Sequence, residues 1–338
     1  MRRQSIWFIG PGQIEVREEE LGVPEAGQLL VQTRLSAISP GTEMLFYHDE
    51  VPEEMALDDS IVALPGMARF PFKYGYASVG EVCAVGSGVA GDWLGRRVFS
   101  FHPHESAYLA VPGELMLIPE GIGWEDAVFL PNMETALNLV LDAAPLMGET
   151  AAVFGLGIIG LLTTALLARL PLALLAALDP LATRRAQAGA RLCVDPFAPD
   201  ALEQVAQAAA LAGSTGGVDL VVECSGSPRA LDQALALTGT EGRIVIGSWY
   251  GKKAVSLNLG GRFHRSRIRL IGSQVSTLAA GLTGRWSKQR RFGVAWEQIR
   301  QVRPARWITQ RFSAGAADRA YALLSENPAE AIQVIFEY

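Results

Sequence analysis

The spacing of apolar and polar positions changes twice along the chain. Residues 1–36 alternate (Ile6 with Phe8, Ile14 with Val16, Leu29 with Val31) between the punctuation of Gly10-Pro11-Gly12 and Pro24-Glu25-Ala26-Gly27. Alternation over short runs marks half-buried strands, so this part predicts short antiparallel strands. A less regular stretch follows Ser39-Pro40-Gly41-Thr42-Glu43, rich in aromatic and acidic residues through Tyr47, His48, Asp58 and Asp59. Strand character returns after Pro71–Ala77 in SVGEVCAVGSGV, then in Gly95–Phe101, Tyr108–Val111 and Leu115–Ile118. From Trp124 the period becomes helical, with Ala127, Leu130, Met133, Leu137, Val140 and Leu141 on one stripe. Between about 137 and 276 helix and strand patterns alternate, the strands including Val218–Glu223, Arg243–Gly247 and Arg269–Gly272. An arginine-rich helical stretch (Arg285, Lys288, Arg290, Arg291), a helix at Ala316–Leu324 and a strand at Ile332–Phe336 close the chain. No period of 20–50 residues repeats, which excludes solenoids and propellers.

The alternating region is organised around Ala151–Asp179. Ala151–Phe154 reads as a short buried strand, and Gly155-Leu156-Gly157-Ile158-Ile159-Gly160 then fits G-x-G-x-x-G directly before an apolar helix. In that pattern the glycines serve a tight turn, close backbone approach to a pyrophosphate, and close helix–strand packing. The helix N-terminus adds N–H groups without intrahelical partners and a partial positive charge. A second strand, Leu172–Leu178, ends in Asp179, 19 residues beyond Gly160, where a dinucleotide site wants an acceptor for ribose hydroxyls. Leu156–Leu178 is almost wholly apolar, but Arg169 and Pro171 interrupt it, and a spanning helix needs about 20 uninterrupted apolar residues. Helix plus buried strand, with no membrane span, is the reading that follows. Strands separated by helices of this length predict a doubly wound parallel sheet with its ligand at the carboxyl ends of the strands.

Composition narrows the class. The 338 residues allow two domains, and 49% hydrophobic against 19% charged residues suits large cores. A formal net charge of −6 gives no support for nucleic acid as a partner. Residues 1–16 carry two arginines without an apolar run before a cleavage site, so no secretory signal is expected there. Three scattered cysteines (Cys83, Cys193, Cys224) fit a reducing compartment and give neither a disulfide framework nor a four-cysteine zinc lobe. The expectation is a cytoplasmic protein acting on a small molecule.

A β-rich first part followed by a nucleotide fold, with PGTE near 40, GYASVGEVCAVGSGV, LGRRV, GLGIIG, VDLVVECSG and GRIVIGSWYG in that order, resembles the medium-chain dehydrogenase/reductase superfamily over nearly the whole chain. ISPGTEMLFYHDE and RFSAGAADRAYALL…IQVIFEY are similar to a zinc-lacking subgroup, the bacteriochlorophyllide hydroxyethyl-group dehydrogenases. The resemblance implies an α/β protein with a Rossmann sheet at 137–276 and a β-rich GroES-like substrate domain formed by 1–136 and 277–338. It also implies a homodimer, for which the apolar run around Arg243–Leu259 is the candidate interface. Zinc members place a cysteine before G-T-D, then G-H-E, then a third ligand. Here those positions hold Pro40, Tyr76 with Ala77, and Pro131, so no metal site is expected. His102 and His104, with His48 and His264, are the only histidines from which one could be rebuilt.

Without zinc, side chains must polarise the substrate oxygen and move its proton. The register of the resemblance brings Thr42, Tyr76 and His102 to that task, with His102 first because imidazole titrates near neutral pH. It places Gly155, Gly157, Ile158, Ile159 and Gly160 at the phosphates, Asp179 at the ribose and Arg184 beside the adenine. Thr135 falls beside the nicotinamide, and Cys224, Ser225, Gly247, Trp249, Ser273 and Val275 fall in strand-end loops edging the cofactor. Asp179 favours NAD over NADP, whose 2′-phosphate a carboxylate repels. Phe46, Tyr47, Phe70, Phe72, Trp249 and Tyr250 are candidates for an aromatic substrate pocket. Arg285–Arg291 reads as a solvated helix face, with reception of an anionic substrate as the alternative. Three functions remain open: a zinc-independent NAD-dependent alcohol–ketone oxidoreductase, an NADPH-dependent quinone or enoyl reductase, and a nucleotide-binding subunit without turnover.

Overall fold

Two separately packed units emerge in the computed structural model, which describes residues 1–52 and 54–338. One unit comprises Met1–Pro131 with Ile299–Tyr338, the other Asn132–Gln298. In the first, strands Arg2–Gly10 and Gln13–Glu20 form an antiparallel hairpin, and Phe72–Lys73 adds to its free edge. A larger sheet runs in the order Ile308–Ser313, Gln333–Glu337, Leu29–Ala37, Ser78–Val85, Arg97–Ser100, Leu115–Leu117, and Ala107–Ala110 pairs with Leu29–Ala37 as well. Leu29–Ala37 is the hub, bonded antiparallel to three other strands. Its Leu29 and Val31 pack on Val82, Val98, Tyr108 and Leu115.

A helix, Pro40–Tyr47, occupies part of the stretch read as irregular. Pro40 at the first helical position has the φ a helix needs and gives up an N–H that would lack an intrahelical partner anyway. Glu43, Leu45, Phe46 and Tyr47 are all buried, so the helix has no clean polar stripe for periodicity to find. Three of the six aromatics expected to line a pocket are core instead. Phe46 packs at a tilt against Tyr74, Phe72 stacks on Phe8 and Tyr47 on Tyr321, and Phe46, Tyr47 and Phe72 are all buried.

The second unit holds six parallel strands in the order Leu192–Val194, Leu174–Leu178, Thr150–Phe154, Val218–Glu223, Thr238–Ile246, Arg269–Gly272. This is the 3-2-1-4-5-6 order of a doubly wound dinucleotide fold, reversing between Thr150–Phe154 and Val218–Glu223. Leu192–Val194, only three residues long, carries too little pattern to be read from sequence. The expected boundary at 276 falls inside the second packed unit, which runs to Gln298. Helix Lys288–Val302 carries Arg291, which is fully buried against Glu134 and Asn138, so the segment up to Gln298 packs with the sheet. Among the described residues no helix is long and apolar enough to cross a membrane.

Helix Ile158–Leu167 packs tightly beneath the strand it follows. A Cβ on Gly160 would stand 1.8 Å from the carbonyl oxygen of Gly155. Backbone cannot move aside as a flexible side chain does, so Gly160→Ala should cost about 1–3 kcal/mol of stability. Urea unfolding checks this, and an unchanged midpoint would contradict it.

Candidate functional site

Gly155 adopts φ +85°, and a Cβ there would meet Ser225 Cα at 2.5 Å. The turn after the first strand and the loop after Val218–Glu223 therefore touch through bare backbone, at the point where the strand order reverses. Gly157 caps helix Ile158–Leu167 without any side-chain hydrogen bond, and a Cβ on it would find nothing within 4 Å. Open space at a helix N-terminus suits a pyrophosphate, so these residues fit a dinucleotide. Ile158 and Ile159 supply the first N–H groups of that helix.

Asp179 is 3% exposed. Its Oδ2 accepts the Leu156 N–H at 2.7 Å and its Oδ1 the Leu181 N–H at 2.8 Å. The carboxylate thus braces the glycine turn, and its remaining lone pairs are the ones ribose hydroxyls would use. Arg184 lies on the short helix Ala182–Arg185, while Arg185 caps the strand end by donating to the Asp179 carbonyl at 2.7 Å. Ser225 donates its N–H to Glu223 Oε1 at 2.6 Å, and Tyr250 Oη donates to Glu223 Oε2 at 2.8 Å. Cys224 next to them is inert as a nucleophile, because burial pushes its thiol well up. Gly247 is pressed by Leu139, whose Cδ2 lies 2.7 Å from where a Cβ would be, and half-buried Trp249 follows two residues on.

On the opposite flank, half-buried Thr135 neighbours Glu134. Glu134 Oε1 accepts from Arg291 Nε at 3.0 Å and Nη2 at 2.7 Å. Arg291 also donates to Asn138 Oδ1 and to the Val275 and Thr277 carbonyls. Ser273 donates to Asp142 at 2.6 Å and accepts from Asn138 at 2.9 Å. Ser273 and Val275 are therefore held by this network, and Arg291 is no part of a solvated face. The sequence reading missed the pair because its partners lie 157 residues apart.

In the first unit, Tyr76 and Thr42 do meet. Tyr76 Oη donates to Ser39 Oγ and lies 3.3 Å from Thr42 Oγ1. All three side chains are half-buried. Burial pushes the Tyr76 phenol up to about 12, against the lowering effect of the Ser39 and Thr42 hydrogen bonds. Beneath this trio lies a fully buried pair, Glu43 and His104, with His104 Nε2 3.0 Å from Glu43 Oε2. Glu43 Oε1 accepts the Ser39 N–H at 2.7 Å, and Tyr321 Oη donates to Glu43 Oε2. His104 Nδ1 lies 2.7 Å from Ser36 Oγ. Sequence reasoning missed this pair, because Glu43 and His104 lie 61 residues apart.

His102 stands apart. Its ring stacks on Tyr108 at 3.7 Å, and its Nδ1 is 3.7 Å from Glu105 Oε2. Arg3, Lys73 and Glu105 surround it at a hollow of about 270 Å³. Burial, with help from Arg3 and Lys73, drops its pKa to about 3. That lowering argues against the expected role of His102 as proton donor, because the acidic imidazolium form is not populated at neutral pH.

A family model described as "Zinc-binding dehydrogenase" matches residues 159–290. D-guloside 3-dehydrogenase of Escherichia coli (strain K12) is 26% identical over 289 residues, 81% of either chain. (R,R)-butanediol dehydrogenase of Bacillus subtilis (strain 168) is 31% identical over 213 residues, 54% of this chain and 60% of its own. These matches support the resemblance of the chain to the zinc-type alcohol dehydrogenases of the medium-chain dehydrogenase/reductase superfamily. Its fold also matches a solved short chain alcohol dehydrogenase from E. coli CFT073 complexed with NADH. The TM-score is 0.78 at 18% identity, over 100% of this chain and 99% of the other.

The zinc that the superfamily's model names does not fit the residues here. Pro40 and Pro131 offer no donor atom, and the Tyr76 phenol is a weak ligand beside thiolate or imidazole. Glu43 and His104 carry metal-binding atoms, but those atoms already face Ser39, Tyr321, Ser36 and one another. Among the described residues no three His, Cys, Asp or Glu side chains converge. For His102, the expected outcome is a kcat/KM for ketone reduction with no ionisation near the ordinary histidine value of about 6.5. His102→Gln should leave the pH profile in place. A limb near 6.5 that vanishes in that variant would contradict the assignment.

Proposed function

We propose that the protein is a zinc-independent, NAD-dependent oxidoreductase that interconverts a secondary alcohol and a ketone, with the Tyr76 hydroxyl serving the substrate oxygen. The observation that carries this reading is the Tyr76–Ser39–Thr42 hydroxyl trio at the position where zinc relatives keep a metal ligand. Support for the cofactor comes from the glycine turn that leaves Gly157 open and from the carboxylate of Asp179 at the end of the second strand. When bound, the nicotinamide supplies or takes up the hydride at the substrate carbon. During ketone reduction Tyr76 turns its O–H from Ser39 to the substrate oxygen and gives up that proton. The Ser39 and Thr42 hydroxyls donate to the phenolate left behind, and a proton from solvent restores the phenol. Because its pKa is raised to about 12, the phenol holds that proton throughout the neutral range. Asp179 discriminates against a 2′-phosphate by charge.

The reading includes a cytoplasmic homodimer. Three free cysteines are consistent with a reducing compartment. Arg269–Gly272 ends the six-strand order at one edge, near the apolar run Arg243–Leu259, and an edge left unpaired favours pairing with a second copy.

Incubation with secondary alcohols should produce reduced NAD faster than reduced NADP. Tyr76→Phe should lower kcat by about a hundred- to thousandfold, the usual cost of one lost donor at a developing oxyanion, with NAD affinity unchanged. Turnover in the variant at the unsubstituted rate would overturn the choice of Tyr76, and a preference for NADP would overturn the cofactor.

A further inference from the structure

Tyr76 is enclosed by a ring of contacts that returns to its own backbone. From the hydroxyl, the path runs to Ser39 Oγ. The Ser39 N–H is held by Glu43 Oε1 at 2.7 Å, and Glu43 Oε2 lies 3.0 Å from His104 Nε2. His104 then closes on the segment that carries Tyr76 in two ways. Its backbone N–H donates to the Tyr74 carbonyl at 3.1 Å, and its ring fills the space beside Gly75, where a Cβ would meet His104 Cδ2 at 2.6 Å. Gly75 adopts φ +114°, so the ring and the backbone conformation both exclude a side chain at the residue before Tyr76.

We propose that Glu43 and His104 are positioning residues that fix the Tyr76 hydroxyl from both of its ends, through Ser39 on one side and through Gly75 on the other. The proposal rests on the reading of Tyr76 as the proton donor. Neither side chain reaches substrate, since both are fully buried. Tyr321 on the carboxylate, and Ser36 with Tyr338 behind the imidazole, complete the polar partners that a buried ionisable pair requires. The ring closes through residues from three separate parts of the chain, so a small shift at His104 reaches both the backbone and the hydroxyl partner of Tyr76. A displacement of about 1 Å at a reacting group commonly costs about a hundredfold in rate.

The test is a double-mutant cycle on the full-length protein, with kcat, KM and the affinity for NADH measured for each variant. His104→Gln alone should lower kcat at least tenfold while KM and NADH affinity stay within about twofold. In the Tyr76→Phe background the same substitution should produce no further loss, because there is no hydroxyl left to position. Glu43→Gln, which keeps the acceptor for the Ser39 N–H, should retain more activity than Glu43→Ala. If His104→Gln does not fold, Ser36→Ala removes the Nδ1 partner and should give a smaller loss that is also absent in Tyr76→Phe. Equal losses in both backgrounds overturn the proposal while leaving Tyr76 as donor. Full activity in Tyr76→Phe overturns the reading beneath it, and the proposal with it.

Discussion

A carboxylate with no exposure to solvent must find hydrogen-bond donors or drive the chain apart, and Glu43 finds three. The Ser39 N–H, the His104 ring and the Tyr321 hydroxyl arrive from the N-terminal end of its own helix, from the loop after Arg97–Ser100 and from helix Ala317–Glu326. That single requirement binds the C-terminal segment to the first third of the chain. It also explains why the helix can begin at a serine whose own side chain caps nothing: the serine hydroxyl is left to receive Tyr76. Removing one partner of such a buried hydrogen-bonded pair leaves the other unsatisfied, at a typical cost of about 1–3 kcal/mol, which makes the pair a framework element of this unit.

The nucleotide unit solves a different problem, that of bringing backbone close to backbone. Gly155 and Gly160 are required because Ser225 and the Gly155 carbonyl occupy the places their side chains would take, while Gly157 faces nothing. Contact and emptiness together leave a shape that suits a pyrophosphate. Arg291 then fixes the far side, tying Glu134 and Asn138 to the Val275 and Thr277 carbonyls. The unit is rigid where a cofactor needs fixed donors and open where it needs room.

Legibility followed the range of the interactions. The glycine turn, Asp179 and the strands Val218–Glu223 and Arg269–Gly272 were readable because each is set by residues within a few positions of one another. Strand Leu192–Val194 was too short to show a period, and helix Pro40–Tyr47 is buried on too many sides to show a stripe. Tyr76 and Thr42 could be named from the superfamily register, but their partner Ser39 could not. For His102 the ordinary imidazole pKa is a poor guide, because desolvation beside Arg3 and Lys73, which lowers it, is a tertiary effect. Glu43 with His104 and Glu134 with Arg291 stand 61 and 157 residues apart, beyond the reach of any local pattern.

What distinguishes this chain from zinc relatives is the claim that hydroxyls on a buried carboxylate–imidazole base do the work of a metal. Elemental analysis and turnover measured on one and the same preparation, before and after dialysis against a strong chelator, test it most directly. The account predicts alcohol-dependent reduction of NAD at an unchanged rate, with zinc far below one equivalent per chain in both states. About one zinc per chain, lost on dialysis together with the activity and restored with it, would contradict the account.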